Sequence, residues 1–309
     1  MAPRDRHRLR DLLTPRVAYV DTHAPADPLW WVIGTQRSGT TWLGELIDPD
    51  QRMRTIFEPF HTVHSGVARR LGLPWGAYVP PGTDHPALAR TVDAIASGHV
   101  RDAWTDRQNR RRHYTSRMVK DVTATNLVPW IARHRPDDRV VLILRHPFAV
   151  VWSLLEVPWA SGRDDTDALF ADAGLREAIG PVAGLDGWIA QAAADAFVNR
   201  TLKWCLENTL PLRAAGDGEF AVVHYEHLVA DPAGACARLG IAATGDPTRP
   251  SSTDFRRRAD AWGDDGATLV TDWQAHVTPA QVETGVRILD AFGLTTVYDA
   301  DPWPRPVPA

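Results

Sequence analysis

The segment 30–43 reads W-W-V-I-G-T-Q-R-S-G-T-T-W-L. An apolar run enters Gly34, a polar loop follows, and a helical pattern leaves from about Thr40. A strand, a loop and a helix N-terminus in that order turn successive backbone N–H groups toward one point and so cradle an anion. Gly39 permits close backbone approach, and the hydroxyls of Ser38, Thr40 and Thr41 add donors. The spacing Gly34-x4-Gly39 matches the start of a Walker A loop, but the Lys that should follow is Thr40. The cation stands inside the loop instead, at Arg37. An Arg does not readily give up its proton, so its chemistry is electrostatic. The plainer alternative is an incidental Gly turn.

A second segment, 140–155, reads V-V-L-I-L-R-H-P-F-A-V-V-W-S-L-L. Arg145 closes an apolar run, Pro147 opens a helix, and Ser153 lies eight residues after Arg145. A guanidinium fork and a hydroxyl on the adjacent helix together suit a phosphate. Taken singly, they read as a strand-end salt bridge and a helix-surface serine. Glu58, in I-F-E-P-F-H over 56–61, follows a shorter apolar run and is the candidate general base. His61 is the runner-up, being poised near neutrality, and His64 is third. A surface glutamate or an ion pair to a nearby Arg is the other reading of Glu58. Lys120 and Asp121 end R-M-V-K-D over 117–121, where Lys120 divides between stabilising charge in a reaction and a structural salt bridge.

The loop with its internal Arg37 followed by Ser-Gly-Thr-Thr-Trp resembles the 5′-phosphate loop of sulfotransferases that use 3′-phosphoadenosine 5′-phosphosulfate (PAPS). Arg145-x-Pro147 with Ser153 resembles their 3′-phosphate site. V-V-H-Y-E-H-L over 222–228, followed by Asp231-Pro232, is similar to the family's Tyr-Glu-Asp-Leu segment, with His227 in place of the Asp. Trp273 through Gly293-Leu294 and Tyr298 resembles the C-terminal helix of bacterial members. The resemblance spans roughly 29–298. It implies sulfonate transfer from PAPS to a hydroxyl or amine of a small-molecule, carbohydrate or lipid acceptor, leaving 3′,5′-ADP, with no metal. Under it Glu58 matches a Glu-Pro segment of carbohydrate sulfotransferases. Lys120 matches a Lys-Asp segment, although Val122 replaces the usual Pro. Trp42 and Tyr225 match positions that flank the adenine, with aromatic packing as the alternative. Ser252, within S-S-T-D over 251–254, matches a stretch reaching the donor, and Arg256-Arg257-Arg258 could assist at the 3′-phosphate. Two rivals stand beside this reading. A P-loop kinase needs ATP·Mg and is weakened by Thr40 and by the lack of an evident Walker-B acid. A non-catalytic nucleotide-binding protein of the same fold would have kept the cradle and lost turnover.

These residues need a scaffold that brings strand ends together. Apolar runs at 29–33, 140–144 and 220–223 are continuous rather than alternating, as in parallel strands buried on both faces. Weaker runs at 54–57 and 117–120 supply further strands. Helical patterns lie at 41–47, 127–132, 148–155 and 188–209, the last stopped by Pro211. Thr278-Pro279-Ala280-Gln281 reads as a capping box for a helix to about Phe292 that ends at Gly293. The alternation predicts an α/β fold of P-loop-like, three-layer type, with a central mainly parallel sheet flanked by helices. A single domain is expected over 29–300, after an N-terminal extension 1–28 and before a Pro-rich tail 301–309. Residues 61–116 and 157–187 fit the alternation badly and read as acceptor-facing insertions over the sheet's carboxyl edge. The basic run 107–113 reads first as a solvated helix face and second as an attractor for an anionic acceptor.

Composition removes several classes. Over 309 residues, 34 Lys+Arg against 38 Asp+Glu give a net charge of −4, which argues against a nucleic-acid partner. Cys205 and Cys236 are too few for a disulfide scaffold or a metal cluster and read as buried thiols. No membrane span or secretory leader is evident, so the expected location is cytoplasmic.

Overall fold

The computed structural model describes residues 19–24, 27–157, 164–241 and 266–305. Five parallel strands form the central sheet: β2 (Trp30–Ile33), β3 (Met53–Phe57), β5 (Ser116–Asp121), β6 (Arg139–Leu144) and β7 (Ala221–His224). Their order is β3-β5-β2-β6-β7. A separate two-stranded ladder pairs β1 (Val20–Asp21) with β4 (His113–Tyr114). The helices that matter to the site are α1 (Thr40–Ile47), α2 (Val128–His134), α3 (Pro147–Leu155), α4 (Ala196–Ala214), α5 (Tyr225–Ala230) and α6 (Pro279–Ala291).

Pleating divides the core. Trp31 and Ile33 pack on one face with Ile56, Val119, Leu142 and α4 residues such as Leu202. Trp30 and Val32 pack on the other with Trp42, Leu43 and Leu228. Both faces of the central strands are covered, which is why β2 and β6 read as continuous apolar runs. The expected α/β architecture is the observed one.

Register sets the site. Ile33 pairs with Asp121, Phe57 with Lys120, and Leu144 with His224. All five strands therefore end at one edge. Along it lie, in order, Glu58, Lys120, Gly34, Arg145 and Tyr225. The chain crosses over at β2 on its way from β5 to β6, and such a switch point opens a crevice for ligands.

Three local expectations need correction. The run 188–209 is two helices, Leu185–Ala192 and α4, because the Asp195 side chain accepts from the N–H groups of Phe197 and Val198 and caps a new start. Pro211 lies inside α4 rather than after it. It removes one backbone hydrogen bond, while Leu210 and Leu212, both buried, keep the last turns packed. The basic run 107–113 is a set of turns leading into β4, not a helix face. The capping box of Thr278 and Gln281 forms as read.

The β1–β4 ladder is held by buried charge. Arg54 reaches Asp21 at 3.1 Å and Asp106 at 3.1 Å, and Arg117 reaches Asp21 at 2.8 Å. Burial alone would raise the Asp21 carboxyl, but Arg117 and Arg54 together hold it below its ordinary value. Removing one member of such a network strands the others, at a cost of about 3–5 kcal/mol. Asp21→Ala should therefore lower the unfolding free energy by about 3 kcal/mol in urea melts. A loss within experimental error would contradict this role.

Candidate functional site

The loop after β2 is shaped for close approach. A Cβ on Gly34 would stand 2.4 Å from the Ile143 carbonyl, and one on Gly39 would stand 2.7 Å from the Tyr225 ring. Gly39 takes φ 100° and Arg37 takes φ 67°, both left-handed. Such a backbone suits Gly and is strained at Arg37, a cost characteristic of ligand loops. α1 starts at Thr40, so the unpaired N–H groups of its first turn face the loop. The Ser38 hydroxyl is fully buried and has no hydrogen-bond partner. A buried polar atom left unsatisfied is costly, and an anion in the cradle would satisfy it.

The cations converge on this loop. Arg37 Nε donates to Ser153 Oγ at 2.8 Å, joining the loop to α3. Arg145 Nη1 donates to the Arg37 carbonyl at 3.1 Å, and its guanidinium lies 4.5 Å from the centre of the Tyr225 ring. Arg145 Nε is buried without a partner. The structure thus brings Arg37, Arg145 and Ser153 together, with Arg37 rather than Arg145 contacting Ser153. Trp42 and Tyr225 meet edge-on with centroids 5.7 Å apart, directly against the loop. Ser252 and Arg256–Arg258 lie outside the described residues.

The other end of the edge holds Glu58. Its φ is 43°, and its backbone N–H donates to the Lys120 carbonyl at 2.7 Å. Its carboxylate accepts from Lys120 Nζ at 2.8 Å, with about nine-tenths of each side chain buried. The ion pair foreseen for Glu58 therefore forms, with Lys120 in place of an Arg. His61 is half-buried, in a ring cluster with His64 at 4.6 Å, Trp104 at 5.1 Å and Trp75 at 5.3 Å. Trp104 Nε1 donates to the Glu58 carbonyl at 3.1 Å, so this cluster packs directly on the Glu58 turn.

Asp121 was missed as a site residue. It is fully buried. One of its oxygens accepts from Phe60 N at 2.9 Å, and the other accepts from Thr123 N, Thr123 Oγ1 and Ala124 N. Its backbone carbonyl accepts from Gly34 N at 3.3 Å. It therefore ties the Glu58 turn to the phosphate-type loop. Its sequence signal was an acid directly after Lys120 at a strand end.

Three buried groups make stability depend on pH. Burial pushes His146 down to about 3 and His224 down to about 4, so both rings are neutral in the folded chain. The unfolded chain then binds more protons than the folded one between about pH 6.5 and pH 4, and their contribution is lost on acidification through that window. Asp121 acts in the opposite sense. Burial raises it to about 6, so its contribution is present at low pH and lost as pH rises through 6. Replacing His224 by Gln should flatten the acid loss by up to one proton, about 1.4 kcal/mol per pH unit. Urea melts at several pH values between neutrality and moderate acid check this; parallel curves for wild type and variant would contradict it.

Among the described residues no helix is long and apolar enough to cross a membrane. Compared with known proteins, residues 28–245 match the model of the sulfotransferase family. Solved structures with a similar outline include the sulfotransferase domain of the olefin synthase from Synechococcus PCC 7002, at 16% identity over 90% of this chain and 96% of that one, with a TM-score of 0.44. The sulfotransferase domain from the curacin biosynthetic pathway matches at 13% identity over 91% and 99%, with a TM-score of 0.46. A sulfotransferase from Mycobacterium avium matches at 14% identity over 97% and 82%, with a TM-score of 0.39. No curated protein matches the chain.

Proposed function

Since this chain belongs to the sulfotransferase family, whose enzymes are PAPS-dependent, we propose that its sheet edge moves the sulfonate group of PAPS to a hydroxyl of a small-molecule, carbohydrate or lipid acceptor, with these residues in stated roles. The observation that carries the reading is the loop. A loop packed too closely on Ile143 and Tyr225 for any Cβ at Gly34 and Gly39 holds a buried, unsatisfied Ser38 hydroxyl; the Arg145 guanidinium reaches its Arg37 carbonyl, and the Arg37 guanidinium reaches Ser153. That donor set fits a phosphate group.

In this reading the N–H groups of Ser38 to Thr41 and the Arg37 guanidinium hold the 5′-phosphate side. Arg145 with Ser153 holds the 3′-phosphate. Trp42 and Tyr225 offer ring surface to the adenine. Glu58 takes the proton of the acceptor hydroxyl as its oxygen forms the new bond to sulfur. The bond from sulfur to the 5′-phosphate oxygen breaks, and its electron pair leaves with 3′,5′-ADP. Arg37 stabilises the charge growing on that phosphate, and Lys120, released from Glu58, faces the moving sulfonate. Cations fixed where charge develops need little reorganisation during reaction. His61 clusters with Trp75 and Trp104, all within the segment 61–116, against the turn that carries the proposed base. That placement supports reading this segment as acceptor-facing.

The test is transfer of sulfur radiolabel from PAPS to a panel of hydroxyl and amine acceptors. Label on an acceptor together with released 3′,5′-ADP is expected. No transfer to any acceptor, with 3′,5′-ADP still binding, would favour the non-catalytic reading.

A further inference from the structure

The family match ends at residue 245, yet the chain beyond it returns to the donor edge of the sheet. Tyr298 is fully buried, and its hydroxyl donates to Glu226 Oε2 at 2.9 Å. The same hydroxyl oxygen lies 2.9 Å from His224 Nδ1, which therefore donates to it. The other Glu226 oxygen accepts from the backbone N–H of His146 at 2.8 Å. His146 is the residue after Arg145 and caps α3 by accepting from Phe148 N at 3.2 Å. With that nitrogen an acceptor, its Nε2–H points at the carbonyls of Asp299 and Asp301, at 3.2 and 3.1 Å. Its ring stacks on Trp273 at 4.5 Å.

One buried network thus joins the end of β6, the start of α5 and the C-terminal segment. Glu226, at 1% exposure, is its centre; burial raises its carboxyl, and the Arg145 charge acts on both Glu226 and Tyr298. Among the described residues, none of the hydrogen bonds of this network reaches the phosphate-type loop itself. Its outlet toward the site is the His146 peptide, which fixes where the adjacent Arg145 side chain starts. We propose that Glu226 and Tyr298 are positioning residues for Arg145, so that the C-terminal segment completes the 3′-phosphate site. This rests on the reading above, in which Arg145 holds that phosphate.

The experiment compares calorimetric affinities for 3′,5′-ADP and 5′-AMP, which differ only in the 3′-phosphate. Arg145→Ala is expected to weaken 3′,5′-ADP by about 100-fold and to leave 5′-AMP within about twofold. Tyr298→Phe keeps the buried ring and removes one hydroxyl. It is expected to weaken 3′,5′-ADP by about fivefold to tenfold, again sparing 5′-AMP. Glu226→Gln serves as the second variant, with the same direction of change. A merely structural role would weaken both ligands together. Equal losses for both, or no loss, in the Tyr298 and Glu226 variants while Arg145→Ala still discriminates would overturn the inference alone. An Arg145→Ala variant that does not discriminate would overturn the 3′-phosphate reading and this inference with it.

Discussion

Glu58→Gln is expected to lower kcat by about 10²–10⁴-fold while leaving 3′,5′-ADP affinity within about threefold. Gln is close to isosteric with Glu and keeps an acceptor for Lys120 Nζ at the end of β5. It cannot take the acceptor proton. The donor cradle lies across β5 on the β2 loop and does not depend on the Glu58 charge. Removing that charge also leaves the buried Lys120 ammonium without its counterion, so some stability is lost as well. The rate is therefore read at a temperature where the variant is folded by circular dichroism. His61→Ala is the companion variant, because His61 sits on the same turn through its N–H to the Glu58 carbonyl at 3.1 Å. The proposed base predicts a smaller loss for His61→Ala than for Glu58→Gln. Near-wild-type turnover in Glu58→Gln, with loss in His61→Ala, would move the base to His61.

Arg37→Ala should cost about 10²–10³-fold in kcat/KM, the scale of removing one fixed donor from a site of developing charge. The side chain is positioned from two sides. Its Nε is held by Ser153 at 2.8 Å, and its backbone carbonyl receives Arg145 at 3.1 Å. Arg37→Gly separates charge from backbone. The residue's φ of 67° is natural for Gly, so that variant should lose the rate without losing thermal stability. Wild-type turnover in Arg37→Gly would show that the loop needs only its shape there. Ser153→Ala, which removes the Nε contact but keeps the Arg37 charge, should fall between wild type and Arg37→Ala.

The parts of this site that sequence carries are those with local signatures. Buried parallel strands read as unbroken apolar runs, so the ends of β2 and β6 could be found, and with them Gly34 and Arg145. Gly34, Gly39 and the intervening Arg37 mark the loop by type and spacing. The Glu58–Lys120 pair was not legible as a pair. The two residues are 62 positions apart and meet only through the β3–β5 register, which no local pattern encodes. The same holds for Asp21 with Arg117 and for Tyr298 with Glu226. The break before α4 had a readable sign in Asp195, but apolar spacing continued across it and outweighed the cap. Pro211 was read by its local rule, and tertiary packing of α4 overrode that rule.

The central claim is that this sheet edge is built for a 3′-phosphorylated adenine nucleotide. Isothermal titration of the wild-type chain with 3′,5′-ADP, and separately with ATP and Mg²⁺, tests it most directly. The account predicts saturable binding of 3′,5′-ADP without added metal and at least tenfold weaker binding of ATP·Mg, in keeping with Thr40 where a Walker loop carries Lys. Tight binding of ATP·Mg with no heat from 3′,5′-ADP would contradict it.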